Sequence, residues 1–157
     1  ISLGHFGKNT ITIDVTSVND APTGANATLS VLESHVYTFA AGDFGFGDAN
    51  DNPAPNALLS VKITTLPVNG ALQYNNGTSW VAVTLNQVVT AADLAAGKLR
   101  FVPVADGNGS PYATVGFQVG DGAAYSSASV APHDPPTTIH CSIPSWVRIN
   151  SISATSR

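Results

Sequence analysis

The sequence predicts an all-β domain of sandwich or barrel type with one short helical turn. Three observations carry this expectation. Apolar and polar residues alternate in many short runs, the period of a strand with one face in a core. Clusters of Gly, Asn, Asp and Pro separate these runs at the spacing found in sandwiches and barrels. Of the ten acidic residues nine are Asp, and short carboxylates suit turns, whereas solvated helices favour Glu.

The first run sets Ile11, Ile13 and Val15 against Thr10, Thr12, Asp14 and Thr16 and predicts a half-buried strand over 10–18. Further strands are expected at 27–32, 35–40, 58–66, 70–74, 79–83, 87–90, 98–103, 114–120 and 123–130. Asn75-Asn76-Gly77-Thr78 predicts a hairpin between the strands on either side, because Asn and Gly tolerate the positive φ of a tight turn. The helical turn is placed over 90–97, where Thr90 caps the first turn, Asp93 stands at the capping-box position and Gly97 ends it. Phe39, Ile63, Leu72, Leu99, Phe101 and Phe117, each the apolar member of an alternating run, are the expected core. After Val130 the pattern changes. Residues 131–157 carry four of the ten prolines, the one Cys and an isolated Trp146-Val147-Arg148-Ile149, and they read as a poorly specified tail, or as the first strand of a following module if Ile139 and Ile143 pack.

At 157 residues with 43% hydrophobic content the chain can bury a core. Charged residues make up only 10%, so Thr, Ser, Asn, Gly and Ala must cover the surface, as in secreted β-rich proteins. Six scattered Lys and Arg against a net charge of −4 offer no basic stripe, which argues against nucleic acid and anionic membrane as partners. A single Cys excludes an internal disulfide framework, so stability must come from packing or metal. The absence of Met and the start at Ile1 lead us to expect a fragment of a longer protein, in which a signal peptide or membrane span is not to be looked for. His5, His35, His133 and His140 show neither zinc-ligand spacing nor a triad setting, and no Ser sits in a nucleophile elbow. No enzyme is expected.

Val18-Asn19-Asp20-Ala21-Pro22 closes the first strand in an acidic turn, and His133-Asp134-Pro135-Pro136-Thr137 is a weaker copy of it. Self-similarity of this kind signals an array of structural units. Residues 1–20 are accordingly read as the final strand and joint of a preceding repeat, 21–130 as one complete repeat, and 131–157 as a degenerate joint and tail.

Within 29–121 several phrases stand together: Leu29-Ser30-Val31-Leu32-Glu33, Tyr37-Thr38-Phe39 leading to Gly42-Asp43-Phe44-Gly45-Phe46-Gly47-Asp48, Leu66-Pro67-Val68-Asn69-Gly70-Ala71-Leu72, Ala91-Ala92-Asp93-Leu94 leading to Phe101-Val102-Pro103, and Phe117-Gln118-Val119-Gly120-Asp121-Gly122. In this order they resemble the cadherin-like tandem-95, or VNDAP-type, repeats of large bacterial surface adhesins, which are related to chondroitin-sulfate-proteoglycan repeats. The resemblance implies an Ig/cadherin-like Greek-key β-sandwich, a calcium-binding extender in cell adhesion, an extracellular location and adjacent repeats of the same polypeptide as partners. The chain departs from the family after Asp121, where Ser126, Ser127 and Ser129 fill the place of a second strand like 10–16.

Calcium takes about six to eight oxygens from closely spaced Asp, Asn and backbone carbonyls. The stretch Asp48-Ala49-Asn50-Asp51-Asn52, with Asp43 before it, concentrates such oxygens, and Asn19, Asp20 and Glu33 could converge on it from the joint. The resemblance maps the family's calcium ligands onto Asp20, Glu33, Asp43, Asp48 and Asp121, while Asn50 and Asp51 stand where the family more usually shows Asp and Gly. The competing explanation is that these residues only cap turns, as Asp and Asn often do. Trp80, Tyr74, Tyr112 and Tyr125 raise an alternative function, a carbohydrate-binding β-sandwich whose exposed aromatics stack on a glycan.

Overall fold

The computed structural model describes residues 9–51, 55–127 and, by backbone alone, 138–143. The second joint at 133–137 and the Trp146–Ile149 run lie outside the described residues. The fold is all-β. A five-stranded sheet has the order β1-β9-β8-β3-β6, and a four-stranded sheet the order β2-β7-β4-β5. The strands are β1 Ala27–Ser30, β2 Tyr37–Thr38, β3 Ser60–Thr65, β4 Ala71–Asn75, β5 Trp80–Ala82, β6 Val88–Thr90, β7 Leu99–Val102, β8 Gly109–Gly120 and β9 Thr138–Ile143. All pairs are antiparallel except β1 with β9.

Alternation decides which side of each strand faces the core. Val61 and Ile63 of β3, Leu72 of β4, Leu99 and Phe101 of β7, and Val115, Phe117 and Val119 of β8 are buried in one cluster that both sheets share. The six residues expected as core, Phe39 among them, all belong to it. Between these positions the chain turns charge outward. Lys62 lies over the Tyr125 ring at 4.4 Å, and Arg100 over Trp80 at 3.8 Å.

The hairpin forms where Asn-Gly marks it. Asn75 pairs with Trp80, Gly77 has φ +97°, and Asn76 Oδ1 accepts the amides of Thr78 and Ser79, both at 2.9 Å. The short helix α1, Ala91–Ala95, starts with the Asp93 amide donating to Thr90 Oγ1 at 3.1 Å, and at its end Gly97 takes φ +67°.

Asp93 does more than begin this helix. Its carboxylate accepts from Tyr74 Oη at 2.9 Å and pairs with Lys98 Nζ at 2.7 Å, joining α1 to β4 and to the residue that precedes β7. The Lys98 hydrogen bond, outweighing partial desolvation, holds the Asp93 carboxyl below its ordinary value, and Asp93 in turn raises Lys98. A lowered carboxyl contributes stability above its unfolded value of about 3.8–4, and that contribution is lost as pH falls through the folded value. A raised lysine contributes below about 10.4 and loses it as pH rises through its folded value. The difference in melting temperature between the parent and Lys98→Met is therefore expected to shrink between pH 5 and pH 2. A constant difference would show that the pair is not coupled to folding.

The structure departs from the sequence expectations in three places. The first is a 3₁₀ turn, Ala41–Phe44, which forms where Asp43 Oδ2 accepts from the Ala40 amide at 2.8 Å and from Tyr37 Oη at 3.1 Å. The second is the 123–130 run, which makes no strand over its described part; Tyr125 forms only an isolated bridge with Gly120. The tail segment Thr138–Ile143 takes the place beside β8 instead. The third is 10–18. It forms no strand, and Ile11, Ile13, Val15 and Val18 are 87%, 79%, 91% and 76% exposed. The inner place between β1 and β8 is held by β9.

Candidate metal centre

Two loops bring carboxylates together at one end of the molecule. Asp48 and Asp51 lie on the connection between the 3₁₀ turn and β3, and Asp121 directly follows β8. Hydrogen bonds from backbone amides fix both loops. Thr23 and Gly47 exchange backbone hydrogen bonds at 2.7 and 2.8 Å, fastening the segment before β1 to the residue preceding Asp48. Asp121 Oδ1 accepts from the amides of Ala123 and Ala124, both at 2.7 Å, and so closes the turn that follows β8.

One carboxylate oxygen each from Asp48, Asp51 and Asp121 lies within 4.8 Å of the others, and these residues are only 9%, 6% and 6% exposed. The rim is supplied by the entering chain and by Asn56. The Asp20 amide donates to Asp51 Oδ1 at 2.7 Å, and Asn19 Nδ2 to Asp121 Oδ2 at 3.1 Å. The Asn56 amide donates to Asp48 Oδ2 at 2.8 Å, and its side-chain nitrogen donates to Asp51 Oδ2 and to Asn19 Oδ1. Asp48 Oδ1 is buried and has no hydrogen-bond partner.

The electrostatics are one-sided. Among the described residues the only salt bridge is Lys98 with Asp93, so no Lys or Arg pairs with this cluster. Hydrogen bonds from Ala124 and Ala123, then from Asn19 and Asn56, outweigh partial desolvation and hold the Asp121 carboxyl below its ordinary value, so it is ionised at neutral pH. Close carboxylates without a counter-charge repel one another, and a buried acceptor without a donor costs roughly 1–3 kcal/mol. The cluster could hold a metal ion, which would answer both costs together.

The structure brings Asp48 and Asp121 of the expected ligands into this cluster, and Asp20 to its edge through the backbone amide. Asp43 is instead committed to the 3₁₀ turn. Glu33 follows β1 at the other end of the molecule, where the Asp106 amide lies 3.5 Å from Oγ of the adjacent Ser34. Asp106 precedes β8 and Asp121 follows it, and a strand of 12 residues spans roughly 35–40 Å. The added members are Asp51 and Asn56. The density of Asp and Asn over 48–52 pointed to Asp51, whereas nothing local marked Asn56, which arrives from the far side of the same loop.

No described helix is long and apolar enough to cross a membrane. No protein-family model, curated protein or solved structure matches the chain.

Proposed function

We propose that this chain is a structural calcium-binding repeat module of a secreted or cell-surface bacterial adhesin, an Ig/cadherin-like Greek-key β-sandwich that acts as a stiff extender in cell adhesion. The observation that carries this reading is the convergence of Asp48, Asp51 and Asp121, with Asp48 Oδ1 buried and unpartnered. The donors in this cluster are all oxygen, which favours a hard cation over zinc or copper. Carboxylates drawn from separate loops, with amide oxygens near the rim, suit the large and adaptable coordination sphere of calcium better than the strict octahedron of magnesium.

The position of the cluster supports a mechanical role. Asn19 and Asp20 belong to the segment that enters the module, and both are fastened to the cluster's carboxylates. A cation there neutralises the carboxylates and strengthens the tie between the entering chain and the sandwich, which fixes the angle at the joint. Extracellular calcium modules bind with Kd on the order of 10⁻⁴–10⁻³ M. The glycan alternative finds less support. Tyr112 is buried, Tyr74 donates to Asp93, and cations lie over Trp80 and Tyr125.

Thermal melting of the chain in chelator and in graded calcium tests the proposal. At 10 mM calcium the expected stabilisation is about 1.4–2.7 kcal/mol for binding to the folded state alone. Asp48→Asn should abolish the shift and melt no lower than the parent in chelator, because it removes charge while keeping an acceptor for Asn56. Glu33→Ala, at the opposite end, should leave the shift intact. Identical melting curves with and without calcium would sink the proposal.

A further inference from the structure

Residues 9–20 carry an alternating apolar stripe that nothing in the described molecule covers. Set against β9, Thr10-Ile11-Thr12-Ile13-Asp14-Val15 is matched position by position by Thr138-Ile139-His140-Cys141-Ser142-Ile143, with Ile139 for Ile11, Cys141 for Ile13 and Ile143 for Val15. In the ladder with β8, Ile139 pairs with Val115 and Cys141 with Ala113, and both β8 residues are buried. Residues opposite one another in an antiparallel pair lie on the same face, so a strand 10–15 in this register would set Ile11 and Ile13 on the face of the buried Val115 and Ala113. A strand with Thr at the His140 position and Ile at the Cys141 position has the stronger β-branched pattern for that place.

We propose that residues 10–15 are a donor strand for the slot between β1 and β8 of a second copy of this chain, entering in place of that copy's β9. The inference goes beyond the calcium reading and does not depend on it. Direction excludes the chain's own slot. β9 begins opposite Gly116 and ends opposite Gly109, so it runs away from the Asp121 end. A donor in that orientation leaves the slot at the far end of the acceptor. After residues 16–19 the donor chain must reach its own Asp20, which is held at Asp51. Four residues span at most about 14 Å, far less than the roughly 35–40 Å of β8, so the donor module lies end to end beyond the acceptor. Such a heterologous contact does not close in a dimer and propagates as an open chain. An exposed strand seeking an edge supplies the backbone hydrogen bonds, and β9, tethered in the same chain, is its competitor.

Sedimentation velocity of the full chain from micromolar to millimolar concentration, in chelator and in calcium, tests the proposal. Dimers and longer species are expected to grow with concentration in both solutions. Ile11→Asp combined with Ile13→Asp should abolish them without moving the melting temperature, since both residues are exposed in the monomer. In a Cys141→Ser background, Ile13→Cys with Ala113→Cys should give a ladder of disulfide-linked oligomers on oxidation. Monomer throughout the range, or oligomers that persist in the double Asp variant, would overturn the donor strand. A monomer whose melting still responds to calcium would leave the metal reading standing.

Discussion

Phe117→Ala is expected to destabilise the chain by about 3–5 kcal/mol, with a fall in melting temperature of roughly 10–20 °C for a domain of this size. Phe117 sits on β8 between the buried Val115 and Val119, pairs across the sheet with Ile63, and receives the Phe44 ring edge-on at a centroid distance of 4.9 Å. Truncation leaves a cavity that several elements would have to close together, because Phe44 comes from the 3₁₀ turn and Ile63 from β3. Phe101→Ala should fall in the same range, since that ring is equally buried and meets Tyr112 edge-on at 6.2 Å. Native stability is commonly about 5–15 kcal/mol, so either change removes a large fraction of it. Melting within a few degrees of the parent would contradict the register of β7 and β8.

Gly70→Ala is expected to have the second large effect, arising from the backbone as well as from packing. Gly70 adopts φ +76°, and a Cβ there would lie 2.6 Å from Phe101 Cζ and 2.8 Å from the Val102 carbonyl oxygen. The left-handed conformation alone costs an L-residue about 1–2 kcal/mol, and overpacking typically adds about 1–3 kcal/mol. The Phe101 ring cannot withdraw, because it is closed in by the core. Gly77→Ala is the matched control: it too has positive φ, at +97°, but a Cβ would meet nothing within 4 Å. The two variants should therefore differ in melting temperature by the packing contribution, and equal losses would show that Gly70 answers only for its φ.

Local chemistry made much of this fold legible. β3 and β7 alternate so regularly that Val61, Ile63, Leu99 and Phe101 could be assigned to the core from period alone. The hairpin and the short helix follow from Asn76-Gly77 and Thr90-Asp93, interactions that span no more than a few residues. The site was half legible for a related reason. A dense run of Asp and Asn announces acceptor oxygens, and Asp48 with Asp121 could be singled out, but which carboxylates meet depends on where the ends of β8 lie. Glu33 and Asp121 are separated by the length of that strand, a distance that sequence spacing does not contain, and Asp43 is taken up by a turn that its own side chain stabilises.

The strand pattern of 10–16 is the clearest case in which local signal and outcome part. By itself the sequence determined an all-β chain, its strand periods, its turn chemistry, its core residues and an excess of acidic oxygens, because each is settled among near neighbours. The tertiary structure alone decided that Thr138–Ile143 stands beside β8 while Thr10–Val15 stays exposed, and that Asp51 joins Asp48 and Asp121 while Glu33 stands apart. Strand pairing and ion clustering are contests between distant segments for the same place. Their result follows from direction, reach and the edge on offer, which alternation along the chain cannot encode.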